Sequence, residues 1–279
     1  MLLTRVITAL AILPVVLGML FYAPAGVWAL FVLAISLVAC WEWSRMCGLS
    51  PTGQGAYLAA SGAIGAFLWL LYLKVVPGNF AAMAMTGFII ATLFWIVGAP
   101  FWLAQKMRPS PSTCAVAGWI VAWPAWLAFV VLRDTSPWLL LALAALVWVA
   151  DIAAYFSGKR FGRRKLAPAV SPSKTWEGVH GALAGVLAYG VVLCAVADRY
   201  DTAFSKIFEP AWGVPAIGAM LVLTGVSIVG DLFESWMKRG AGLKDSSGLL
   251  PGHGGILDRI DALTSTLPVA ALALYAGLK

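Results

Sequence analysis

The sequence predicts an all-α, polytopic integral membrane protein with about nine transmembrane helices, and three observations carry that expectation. Of 279 residues, 62% are hydrophobic and only 11% charged, with a mean hydropathy of +0.90; soluble domains hold roughly 25% charged residues. Apolar runs close to the roughly 20 residues that a bilayer core requires recur at 6–22, 24–41, 55–73, 80–104, 114–132, 137–156, 178–197, 213–233 and 262–278. The 19 Lys and Arg residues then divide unevenly between the two sides that such spans define.

The first run, within "MLLTRVITALAILPVVLGMLFYAPAGVWA", combines one Arg with a small-residue APA, the pattern of a cleavable secretory signal. Its length, and the immediate start of another run, favour a retained first helix. Residues 1–135 form an N-terminal transmembrane region without a recognisable motif, and residues 136–279 hold the two charged loops and form the expected catalytic region. Little chain is left for a soluble domain. Cys40, Cys47, Cys114 and Cys194 lie in or beside apolar runs, with no Cys-x-x-Cys and no His at ligand spacing, so they read as structural. Solenoid repeats, low-complexity tracts and coiled-coil heptads are absent from the sequence.

With the N-terminus inside, fourteen cations are cytoplasmic: Arg5, Arg45, Lys106, Arg108, Lys159, Arg160, Arg163, Arg164, Lys165, Lys174, Lys238, Arg239, Lys244 and Arg259. Five fall opposite: Lys74, Arg133, Arg199, Lys206 and Lys279. Basic residues concentrate on the cytoplasmic side, so the chain is expected N-terminus in and C-terminus out. A bacterial inner membrane is the expected setting, with the active site facing the cytoplasm and no nucleic-acid partner; the reading leaves room for a homodimer.

Two loops on the cytoplasmic side, 157–177 and 234–261, gather the charge. The first, "SGKRFGRRKLAPAVSPSKTWEG", could serve only to anchor the protein against anionic headgroups. Its second half is more pointed, because Ser171, Ser173, Lys174 and Thr175 surround a Pro-fixed turn, and hydroxyls with one ammonium suit phosphate oxygens.

The span before the second loop ends "VSIVGDLFESWMKRG". Asp231 there costs about 2.5–3.5 kcal/mol on insertion scales and is a functional candidate by default. If the helix continues, Asp231, Ser235 and Lys238 share one face, with Arg239 beside them; an ion pair of Asp231 or Glu234 with Lys238 is the plainer alternative. The last span opens with Asp258, Arg259 and Asp261. A helix cap accounts for one of the carboxylates, but Asp258, Asp261 and Ser265 fall on a common face. Glycines 252, 254 and 255 allow close approach of backbone to a ligand, and His253 sits among them with no packed face to belong to. Oxygen ligands without sulfur or paired imidazoles point to Mg²⁺, which usually arrives with substrate phosphates. Phosphate chemistry at a membrane surface is the implied class.

The segment "SWMKRGAGLKDSSGLLPGHGGILDRID" resembles the characteristic motif of phosphatidate cytidylyltransferases, also called CDP-diacylglycerol synthases. Ser235, Lys238, Arg239, Lys244, Asp245, Pro251, Gly252, His253, Gly254, Gly255, Asp258, Arg259 and Asp261 stand where that motif has them. "GDLFES" and "SPSKTWEG" are also similar to family segments, so the resemblance covers roughly residues 145–265; "DIAAY" differs at Ile152, where the family often has a hydroxyl residue. The resemblance implies transfer of a cytidylyl group from CTP to phosphatidate, giving CDP-diacylglycerol and pyrophosphate. It assigns Asp231 and Asp258 to Mg²⁺, and Asp261 to a second cation or to orienting Arg259. Lys238, Arg239 and Lys244 would hold the triphosphate, Ser171, Ser173 and Lys174 would meet the lipid phosphate, and Ser235, Asp245 and His253 would contact substrate. A CTP-dependent transferase acting on another lipid phosphate is the near alternative. An ion-coupled transporter is a more distant one, since transporters place broken helices near the midplane and show paired halves.

Overall fold

The computed structural model describes residues 2–105, 109–199, 205 and 210–277; Lys106, Arg108, Lys206 and Lys279 of the charge count lie outside them. The helices are α1 (Leu2–Tyr22), α2 (Ala25–Met46), α3 (Pro51–Tyr72), α4 (Phe80–Leu93), α5 (Ala99–Gln105), α6 (Pro111–Thr135), α7 (Pro137–Phe161), α8 (Trp176–Val196), α9 (Pro210–Gly240) and α10 (Leu257–Gly277). A π-helical turn, Phe94–Gly98, joins α4 to α5. Between α7 and α8 lies an antiparallel hairpin of β1 (Lys165–Ala167) and β2 (Ser171–Thr175).

Local sequence explains several of these starts. The Ser-Pro pairs at 50–51, 110–111 and 136–137 each place Pro in the first helical turn and a Ser hydroxyl on the amide of Gly53, Thr113 or Leu139. Asn79 caps α4 through Ala82 N, and Thr175 caps α8 through Gly178 N.

Among the described residues seven helices are long and apolar enough to cross a membrane: α2, α3, the joined α4–α5 unit, α6, α7, α8 and the Pro215–Gly240 part of α9. The expectation was about nine; the two further spans fall on α1, whose fully described part is Val6–Tyr22, and on α10, whose first turn holds Asp258, Arg259 and Asp261. α10 also carries Thr264, Ser265 and Thr266, all buried. Their hydroxyls donate to Asp261 O, Ala262 O and Val226 O, so α10 lies inside the protein, where it needs less apolar surface than a lipid-facing helix.

α6 forms much of the core, packed against α2, α4, α7 and α10. Its Trp126, fully buried, donates to Ala29 O across to α2. The α7–α8 contact is a small-residue seam of the kind that lets membrane helices approach closely. A methyl at Gly185 would lie 2.6 Å from the Ala153 Cβ. Behind α9, Phe233 is fully buried among Trp43, Phe94, Trp95 and Trp102, and the π turn supplies two of these rings.

Contacts sort the connections onto two faces. Thr8 donates to Pro251 O, Arg45 to Ser246 O, and Cys47 is disulfide-bonded to Cys114, which gathers the start of α1, the α2–α3 and α5–α6 turns and the 241–256 loop. On the opposite face Arg133 donates to Leu20 O and Ala23 O, and Tyr72 to Asp134. Cys40 and Cys194 are free.

Candidate active site

Both charged loops are shorter than the sequence implied. α7 runs on to Phe161 and α9 to Gly240, carrying the charges on regular helix beyond their apolar parts. The expected Pro-fixed turn is strand β2, and Pro172 is tolerated because a two-stranded hairpin has only edges. Side chains alternate along a strand, so Ser171 and Ser173 face away from Lys174. Of the three, Lys174 reaches the carboxylates: its ammonium forms an ion pair with Asp231 on α9. The hairpin itself is held by Glu177, whose carboxylate accepts from the amides of Arg163 and Arg164.

Along α9, Asp231, Ser235 and Lys238 do share a stripe. The Ser235 hydroxyl donates to Asp231 Oδ1 at 3.3 Å. Lys238 Nζ lies 2.6 Å from Glu234 Oε2 and 2.6 Å from Asp258 Oδ1, so the anticipated i,i+4 pair exists as half of a carboxylate–ammonium–carboxylate bridge joining α9 to α10. Asp258, in the first turn of α10, is 4% exposed in its side chain. Its Oδ2 accepts from Ser246 N at 2.9 Å, Gly255 N at 2.8 Å and Ser246 Oγ at 3.0 Å. Gly254, at φ +86°, adopts backbone that other residues rarely reach, and a Cβ there would lie 2.6 Å from the same Asp258 oxygen.

Asp261, half-buried, accepts from Ala262 N at 2.7 Å and is near enough to Asp231 to feel its charge, as is Asp151 on α7. Three carboxylates on three helices thus face one region. Lys244, Asp245, Arg239 and Arg259 are exposed around it, and Arg239 also donates to Leu243 O, closing the end of α9. His253 is half-buried in the turn where Leu250 and Gly254 bridge, with Nδ1 buried and without a hydrogen-bond partner.

The donor set fits a hard divalent cation. Asp151, Asp231 and Asp261 bring like charges together, an arrangement that a cation relieves, and the Lys174 ammonium already rests against one of them. No group of three His, Cys, Asp or Glu side chains among the described residues stands in finished ligand geometry; a cation would draw these carboxylates together, Asp231 from its present ion pair with Lys174.

Sequence reasoning passed over Glu42, Ser246 and Ser247. Glu42 on α2 is fully buried and accepts from both serine hydroxyls and from the amides of Ile256 and Leu257. The signal was a carboxylate beside an apolar run, "LVACWEWSRM", the same signal that drew attention to Asp231. Asp151 had appeared only as part of a family-like segment.

The model of the cytidylyltransferase family matches residues 3–276. A phosphatidate cytidylyltransferase of Pseudomonas aeruginosa is 40% identical over 99% of this chain and 98% of its own length. Proteins of the same name from Brucella suis and Haemophilus influenzae are 36% and 33% identical, over 98% and 96% of this chain and 91% and 96% of theirs.

Proposed function

The chain belongs to the cytidylyltransferase family, and from that premise we propose that the ion-pair array of β2, α9 and α10 is the place where it joins its two substrates. The reaction is transfer of a cytidylyl group from CTP to phosphatidate, which yields CDP-diacylglycerol and pyrophosphate. An oxygen of the lipid phosphate forms the new bond to the α-phosphorus as the bond to the β-phosphate oxygen breaks. The attacking group is already an anion, so no general base is required. The barrier is the approach of two anions in line, and positioned cations lower it.

The observation that carries this reading is the pair of linked ion pairs, Lys174–Asp231 and Glu234–Lys238–Asp258, which ties the hairpin and two helices together at one membrane face. Asp231 would hold Mg²⁺ beside Asp151 and Asp261, and Asp258, the second ligand expected from the sequence, would join it only by releasing Lys238; the cation when bound supplies charge neutralisation for the phosphoryl oxygens. Asp261 would hold a second cation or orient Arg259. Lys244 and Arg239, exposed beside the loop, reach for the triphosphate. Lys238 joins them only by exchanging one of its two carboxylate partners. Lys174 meets the lipid phosphate from the hairpin, Ser171 and Ser173 lie on the strand's opposite face and are left out of that contact, and Ser235, Asp245 and His253 line the substrate approach. This face lies toward the cytoplasm of a bacterial inner membrane, where CTP is available. Purified protein in detergent micelles with CTP, phosphatidate and Mg²⁺ should form CDP-diacylglycerol. Absence of product across a panel of lipids and divalent metals would overturn the reading.

A further inference from the structure

Glu42 belongs to the half of the chain in which no motif was found, and its contacts all lead to the other half. Its side chain is 0% exposed. Ser247 Oγ donates to it at 2.5 Å, Ser246 Oγ at 3.1 Å, Ile256 N at 3.0 Å and Leu257 N at 2.6 Å. Three donors of its own and a fourth shared with Asp258 thus surround its two oxygens, which act as acceptors. The two amides lie at the N-terminal end of α10, where the helix dipole favours negative charge. Among the described residues no Lys or Arg forms an ion pair with it, so these donors are what holds the side chain in place.

Ser246 connects this carboxylate to the site. Its amide donates to Asp258 Oδ2, and its hydroxyl lies 3.1 Å from Glu42 Oε2 and 3.0 Å from Asp258 Oδ2. A hydroxyl has one proton, so it serves one carboxylate at a time and couples their positions. Arg45, one turn after Glu42, donates to Ser246 O at 3.1 Å and holds the same residue from its other side. Gly255 closes the arrangement: a Cβ there would overlap both Ser246 Oγ and Glu42 Oε1. Without this anchor a loop containing Gly248, Gly252, Gly254 and Gly255 would have little to fix it.

We infer that Glu42 is a positioning residue for the transfer reaction: from α2 it fixes the Ser246–Leu257 loop so that Asp258 meets Lys238 in one place. The inference rests on the reading of Asp258 as a site residue. Displacement of a reacting group by about 1 Å can cost 10²-fold in rate, whereas the exposed cations assigned to the triphosphate are not bonded to Glu42.

The test is Glu42→Gln, which keeps the shape but turns one acceptor into a donor facing donors, with turnover measured per folded protein below its unfolding temperature. The expected result is a fall in kcat of about tenfold or more with KM for CTP within about twofold. A purely structural Glu42 would lower the unfolding temperature and leave kcat of the folded fraction unchanged, which would overturn the inference. Ser247→Ala removes one donor from Glu42 without touching Asp258 and should lower kcat about threefold; it decides the matter if Glu42→Gln does not fold, and wild-type kcat there is equally fatal. Asp258→Asn, run alongside, separates the two claims. Near-normal turnover in Asp258→Asn sinks the site reading itself, while an impaired Asp258→Asn beside a fully active Glu42→Gln sinks only the positioning role.

Discussion

Replacing Asp258 by Asn perturbs one oxygen of one side chain, and the structure sets its size. Oδ1 faces the Lys238 ammonium at 2.6 Å, and Oδ2 takes the amides of Ser246 and Gly255 at 2.9 and 2.8 Å. Asn has a single acceptor oxygen, so its NH₂ must face either the ammonium or the two amides. A hydrogen bond to a charged group contributes about 1.5–3 kcal/mol. Glu234 remains 2.6 Å from Lys238, so the ammonium keeps a partner. The cost to the fold should therefore be about 2 kcal/mol, below the roughly 3–5 kcal/mol of breaking a buried pair outright. Turnover should suffer more, because a charge aimed at the reacting centre is removed; a loss of about 10²–10³-fold is expected. Thermal unfolding in detergent measures the first quantity, and CDP-diacylglycerol formation at saturating CTP, titrated with Mg²⁺, the second. Near-normal turnover at saturating Mg²⁺, or a loss that only follows the unfolded fraction, would refute the assignment and leave Asp258 as a helix cap.

Asp231→Asn should be similarly impaired, and the double change with Asp258→Asn scarcely worse than either alone; losses that multiply would show two independent roles. Asp134, bonded to Tyr72 on the opposite face, serves as control, and Asp134→Asn should turn over normally. Lys244→Ala should weaken use of every accepted nucleotide in parallel, since an ammonium reads phosphate without regard to base; loss of CTP with retention of dCTP would show contact with the sugar. Single cysteines placed at 169 and 248 in a cysteine-free background should resist impermeant maleimide in intact cells while one at 75 reacts, and equal labelling would reverse the assigned faces.

Asp231, Ser235 and Lys238 were legible as one stripe because helical periodicity carries past the membrane surface. Asp258 stood out because one carboxylate suffices to cap a helix and the sequence places two. The hairpin was not legible: "SPSKT" reads as a turn until its pairing with residues 165–167 is known, and that pairing turns Ser171 and Ser173 away from Lys174. The place of α10 was half legible: its run at 262–278 was visible, but that Thr264, Ser265 and Thr266 are buried is known only from the neighbours that enclose them. Glu42 was hidden differently. Ending the second run at residue 41 put the carboxylate in a loop, whereas α2 extends to Met46 and takes it inside. Contacts 204 or more residues apart in sequence leave no periodic trace.

That separation also bears on how the protein is made. α2 enters the bilayer early, and the serines and amides that receive Glu42 are translated 204 to 215 residues later, at about 5–20 residues per second an interval of about 10–40 s. During it the nascent chain holds a carboxylate one helical turn from the end of α2, close enough to the interface to reach water. Withdrawal of Glu42 from water thus belongs to the final stage of biogenesis. A chain cut short before Ser246 would lack the groups that receive Glu42, its first half still waiting for the loop that it anchors.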